Sequence, residues 1–178
     1  MGFQSLNKLF LDRVEDNLDK PFLWSKINKE WKSITWEETS KKVKEFSSGL
    51  KAHGIKPGDR VVIVSENRPE WIISDLAITM IGGITVPAYT TNTEDDHHYI
   101  LEHSGAKAVI TSNNILANRL ALATTRTKEC KILITIDNYN GFEPEGLNIL
   151  SFNEVNNFGK NTIENSTDHI DNIQPDDT

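Results

Sequence analysis

From residue 60 to residue 136, short apolar runs alternate with longer segments whose apolar residues recur every three or four positions. The runs are Arg60-Val61-Val62-Ile63-Val64-Ser65, Ile84-Thr85-Val86-Pro87-Ala88-Tyr89, Ala106-Lys107-Ala108-Val109-Ile110-Thr111 and Lys131-Ile132-Leu133-Ile134-Thr135-Ile136. The first is nearly continuous β-branched sequence, which suits a strand covered on both faces. Between the runs, Trp71, Ile72, Leu76 and Met80, and later Ile115, Leu116, Leu120 and Ala123, have helical spacing. Four strands starting near 60, 84, 106 and 131 with helices between them predict an α/β fold. Its sheet is mostly parallel, with flanking helices in Rossmann-like layers. Pro87 places its strand at an end or edge, because proline cannot donate to a ladder.

Helix starts are marked by pairs three residues apart: Thr35 with Glu38, Asn67 with Glu70, Thr93 with Asp96, and Ser151 with Glu154. In such a capping box one side chain takes a free amide and the other reaches back to the cap. The helix after Thr35 carries Val43, Phe46 and Leu50 on one stripe and stops at Gly54. Lys56-Pro57-Gly58-Asp59 then turns the chain into the first run.

The N-terminal stretch Phe3–Asp19 has apolar residues at Phe3, Leu6, Leu9, Phe10 and Val14, predicting an amphipathic helix that Pro21 ends. Residues 22–27 and 31–36 flank Asn28-Lys29-Glu30 and read as a β-hairpin whose tryptophans anchor it on the core. Beyond Asp137 the pattern weakens to a loop over 138–148 and a short helix over 152–158. The expected organisation is therefore 1–36, helix and hairpin; 37–158, α/β subdomain; 159–178, a polar, flexible tail.

The formal charge of -7, from 26 acidic and 19 basic residues, excludes a nucleic-acid surface built on a basic stripe. Nucleotides held by backbone amides stay admissible. Cys130 is the single cysteine, so no disulfide framework forms within one chain, and a reducing, cytoplasmic setting is expected. The longest apolar stretch, Leu76 to Tyr89, is interrupted by Thr79, Gly82-Gly83, Thr85 and Pro87. It falls short of the roughly 20 residues that span a bilayer. Asn165-Ser166-Thr167 forms an incidental glycosylation sequon.

A dinucleotide site needs glycines where the first strand meets its helix. Here that turn is Ser65-Glu66-Asn67-Arg68-Pro69-Glu70, and Glu66 would repel phosphate. His97 and His98 are adjacent, and His103 is six and five positions on, so they read as exposed or capping residues rather than metal ligands. Cys130 reads as a buried structural thiol. Ligands bind beyond the carboxyl ends of parallel strands, which singles out Arg68-Pro69-Glu70-Trp71 and Thr90-Thr91-Asn92-Thr93. Trp71 lines an apolar pocket or packs in the core; the threonines shape a channel or cap a helix.

Four stretches together resemble the N-terminal part of AMP-forming acyl-CoA synthetases of the adenylate-forming superfamily. They are Ile34-Thr35-Trp36-Glu37-Glu38, Gly54-Ile55-Lys56-Pro57-Gly58-Asp59-Arg60-Val61, Ser65-Glu66-Asn67-Arg68-Pro69-Glu70-Trp71 and Gly83–Thr93. Tyr99–Lys107 extends the match, and Glu66–Trp71 with Tyr89–Thr93 is most similar to the long-chain fatty acid branch. The resemblance implies that ATP and Mg²⁺ convert a fatty acid into an acyl-adenylate, which coenzyme A then attacks. It carries no catalytic, cofactor-binding or metal residue onto this chain. Trp71, Thr90 and Thr91 are implied only as neighbours of the acyl pocket. In relatives a Ser/Thr/Gly-rich phosphate loop follows soon after a segment resembling Pro175-Asp176-Asp177-Thr178. The chain therefore reads as an inactive N-terminal piece of a ligase that binds no cofactor itself. Peripheral membrane association and self-association through an exposed sheet edge are further expectations. Another acceptor, as in luciferases or peptide synthetases, and a stand-alone α/β interaction module remain open alternatives.

Overall fold

The computed structural model describes residues 5–162. Helix α1 (Leu6–Asn17) is followed by the antiparallel hairpin β1 (Pro21–Ile27) and β2 (Glu30–Thr35), then helix α2 (Trp36–Ala52). An alternating series runs through β3 (Arg60–Val64), α3 (Pro69–Met80), β4 (Ile84–Pro87), α4 (Glu94–Ser104), β5 (Ala108–Thr111), α5 (Asn114–Thr124) and β6 (Ile132–Thr135). It ends in β7 (Asn148–Ser151) and α6 (Phe152–Lys160). The sheet order is β4-β3-β5-β6-β7, and every pairing in it is parallel.

Val61 and Ile63 face a core shared with Phe10, Val43, Phe46, Leu50, Ile73 and Val155, from α1, α2, α3 and α6. Val62 and Val64 face a second core with Leu101, Leu116 and Leu120, from α4 and α5. Both faces are covered, which is why β3 is continuously apolar. Pro87 closes β4, an outer strand, as a residue without an N–H requires.

The capping boxes at Thr35, Thr93 and Ser151 form as the spacing predicts. Asn67 does not cap α3. Arg68 occupies that position without a side-chain capping bond and Pro69 starts the helix, while Glu70 accepts from Arg68 Nε at 2.8 Å. Proline's fixed φ sets the first turn and removes one orphan amide.

Among the described residues five parallel strands are present, not four. The additional β7 pairs Ile132 with Asn148 through Thr135 with Ser151. Only Ile149 and Leu150 are apolar in it, and no helix separates it from β6, so it lacks the signature of the earlier runs. The loop before it is fastened to α5: Asn118 Oδ1 accepts from Phe142 N at 2.9 Å and Tyr139 Oη at 3.1 Å. Gly159 and Lys160, expected in a tail, belong to α6, and Gly159 is buried against α2. The remaining tail expectation, over residues 163–178, lies outside the described residues, as do Phe3 and the sequon.

The hairpin also departs from expectation. Its turn is two residues, Asn28 (φ 52) and Lys29 (φ 69), with Ile27 paired to Glu30. Phe22 stacks on Trp36 at 3.7 Å between ring centroids, and both pack on the core, whereas Trp24 and Trp31 point into solvent.

Candidate functional site at the carboxyl edge of the sheet

From β3 the chain crosses to β4 by α3; from β4 it returns past β3 to β5 by α4. The helices leaving β3 and β5 lie on opposite faces, which opens a switch point between these two strand ends. Glu66 follows β3 there, and Ser112 and Asn113 follow β5. Asn113 Nδ2 donates to Glu66 Oε1 at 3.1 Å, and its Oδ1 accepts from Leu116 N to cap α5. Hydrogen bonding from Ser112, then a backbone hydrogen bond, the nearby Arg68 charge and Asn113, hold the Glu66 carboxyl below its usual range despite partial desolvation. At neutral pH the switch point therefore presents a carboxylate.

Arg68 lies beside it. Its Nε donates to Glu70 at 2.8 Å and its Nη1 to Asp137 Oδ1 at 3.0 Å. Those acids outweigh burial and raise its pKa. Two acids of this chain thus already offset its charge through Nε and Nη1, so Arg68 is a poor phosphate clamp. The rim can brace strand ends and repel anions. Among the described residues it offers no glycine-rich turn after β3 and no unpaired cation for a triphosphate.

Trp71, in the first turn of α3, is half-buried against the core. Thr90 is half-buried and Thr91 exposed, in a turn tied to the other layer: Arg119 Nη1 of α5 donates to Asn92 O at 2.5 Å and reaches Thr90 O at 3.5 Å. No described hydrogen bond joins Trp71 to that turn. Thr93 serves as the α4 cap.

A cleft of ≈ 480 Å³ opens beside β6 and β7, lined in part by Thr135, Tyr139, Leu147, Ile149, Ser151 and Glu154. Glu154 Oε2 accepts from Ser151 N at 2.7 Å, a contact that keeps its carboxyl ionised below the usual range. The cleft follows from β7 and so had no signal in the run pattern.

His97 is buried at 1% exposure, contrary to the exposed or capping role its neighbours suggested, and neither ring nitrogen has a hydrogen-bond partner. Burial and the nearby Arg119 charge push its pKa down. The α4 face toward α5, not visible in local spacing, decides its burial. Cys130 is buried, and desolvation raises its thiol to about 12, so it stays protonated at neutral pH. Among the described residues no group of three His, Cys, Asp or Glu is arranged to hold a metal ion, and no helix is long and apolar enough to cross a membrane.

Residues 10–178 match the AMP-binding enzyme family. Long-chain-fatty-acid–CoA ligase FadD15 of Mycobacterium tuberculosis is 30% identical over 113 residues, covering 64% of this chain and 19% of its own length. 4-Coumarate–CoA ligase 3 of Arabidopsis thaliana is 30% identical over 150 residues, 78% of this chain and 26% of that protein. The coronafacic acid ligase of Pectobacterium brasiliense superposes with a TM-score of 0.74 at 20% identity, over 85% of this chain and 29% of that one. The chain thus spans about a fifth to a quarter of the length of these curated relatives. An α/β domain with an N-terminal helix, a hairpin and a parallel sheet matches part of an adenylate-forming domain, and this chain belongs to the AMP-binding enzyme family.

Proposed function

We propose that these residues form the N-terminal scaffold of a larger ligase that uses ATP and Mg²⁺ to activate a fatty acid as its adenylate and passes the acyl group to coenzyme A. Family membership and the likeness to FadD15 support the reaction class and the fatty acid. The observation that carries the chain's own role is the paired rim. A triphosphate at the switch point would meet ionised Glu66, and Arg68 already bonded to Glu70 and Asp137. The residues here do not fit a nucleotide's phosphates. Adenylation draws on groups outside this rim, where metal and cations offset the phosphate charge and AMP becomes a good leaving group. Trp71, Thr90 and Thr91 contribute as scaffold beside the acyl pocket, and further chain covers the outer edges of β4 and β7. Cytoplasmic residence completes this reading.

The test uses the enzyme translated from the complete reading frame, offered aliphatic carboxylates of graded length and aromatic carboxylates. AMP release that requires both a medium or long fatty acid and coenzyme A is expected. Preference for aromatic acids, or turnover indifferent to coenzyme A, would replace the substrate or the acceptor.

A further inference from the structure

The hairpin tip exposes apolar surface and positive charge together. Lys26 pairs with Trp31 and Trp24 with Ser33 across the strands, so Trp24, Lys26 and Trp31 share one face. Trp24 is 55% and Trp31 66% exposed, and Ile27, beside the turn, is 47% exposed. Lys26, Lys29 and Lys32 are all exposed, and no ion pair among the described residues engages them. Residues 24–32 thus hold three lysines against one acid, Glu30, on a chain whose formal charge is -7. The root of the hairpin is fixed by Phe22 stacked on Trp36, and the two-residue turn keeps the tip narrow. Lys29 holds a left-handed conformation (φ 69), where glycine would be less strained.

We propose that this tip docks the protein on an anionic lipid bilayer. Indoles settle at the headgroup level, where one side of the ring is apolar and the N–H stays wet. Lysines bury their stems and keep their ammonium groups among anionic headgroups. Ile27 at the turn suits end-on entry into the acyl boundary. A nucleic-acid strand is a poorer fit, because it needs a groove that tracks successive phosphates and the tip is convex.

The test is co-sedimentation of the 178-residue chain with vesicles of phosphatidylcholine alone or of about 7:3 phosphatidylcholine to phosphatidylglycerol. Binding to the anionic vesicles, a blue shift of tryptophan emission, and release by salt are expected. Trp24→Ser with Trp31→Ser, and separately Lys26→Glu with Lys29→Glu and Lys32→Glu, each weaken binding by about tenfold or more. These side chains are exposed, so thermal melts check that the variants stay folded. Lys29→Gly gives a folded variant that relieves the turn and still lowers anionic-vesicle affinity. The proposal is overturned if the chain stays in the supernatant with anionic vesicles, or if the variants bind as well as the parent. It is equally overturned if the tryptophan variant abolishes only self-association, or if oligodeoxythymidylate displaces nothing but is itself the sole polyanion bound.

Discussion

Arg68 Nη1 donates to Asp137 Oδ1 at 3.0 Å, a bond that passes over the end of β5 and joins the loop after β3 to the loop after β6. With Arg68 also held by Glu70, the carboxyl edge of the sheet is braced by charges that cancel within the chain. The Asp137 side chain is half exposed, which limits the energy. A double-mutant cycle with Arg68→Met and Asp137→Asn is expected to give a coupling of about 0.5 kcal/mol. Chemical denaturation checks it, and the coupling should shrink in high salt.

Helices α2 and α6 approach closely at two glycines. A Cβ on Gly159 would lie 1.8 Å from Glu45 O and 2.5 Å from Gly49 N; a Cβ on Gly49 would lie 2.1 Å from Val155 O. The obstructions are backbone atoms, which a rotamer change cannot remove. Gly159→Ala and Gly49→Ala should each destabilise by about 3 kcal/mol, measured by urea denaturation. A surface control, Asn157→Ala, should change stability by no more than about 0.5 kcal/mol.

His97 supplies a pH dependence whose sign follows from burial. Its folded pKa lies below the ordinary 6.5, so on acidification the unfolded chain takes up the proton first. Stability therefore falls as pH drops below about 6.5, by at most about 1.4 kcal/mol per pH unit for this one proton. The groups surrounding it include Arg119 from α5 and Asp96 from its own helix, and the Arg119 charge opposes protonation more than Asp96 favours it. Melting temperatures measured from pH 5 to 7.5 should show His97→Leu gaining on the parent as the solution is acidified. Below about 4.5 a second loss sets in as Glu66, Glu129 and Glu154, all held below their usual range, become protonated.

The parts legible in the sequence were those specified locally. Capping boxes at Thr35, Thr93 and Ser151 involve contacts three residues apart, and the strands β3 to β6 declare themselves by short, β-branched, mostly apolar runs. β7 escaped because two apolar residues between Asn148 and Ser151 do not mark a strand until β6 is beside them. Trp24 and Trp31 stand in solvent although their strands are rich in aromatics, because composition does not tell a buried strand face from an exposed one; Phe22 and Trp36 do the anchoring. Arg60 reads as the first residue of a strand, yet its side chain binds Ser104 O at 2.7 Å and Gly105 O at 2.9 Å, closing the end of α4 from 44 and 45 residues away. The turns after the strands can be read from the run pattern, but the pairing of their side chains cannot. Arg68 has a local partner in Glu70, but its second, Asp137, lies 69 residues along the chain.

If the carboxyl rim is scaffold, as proposed, these 178 residues perform no adenylation. ATP–pyrophosphate exchange measures that step directly, with Mg²⁺ and a panel of short, medium and long fatty acids. The folded chain, verified by circular dichroism, is predicted to give no exchange above a heat-denatured control; clear fatty-acid-dependent exchange would contradict it.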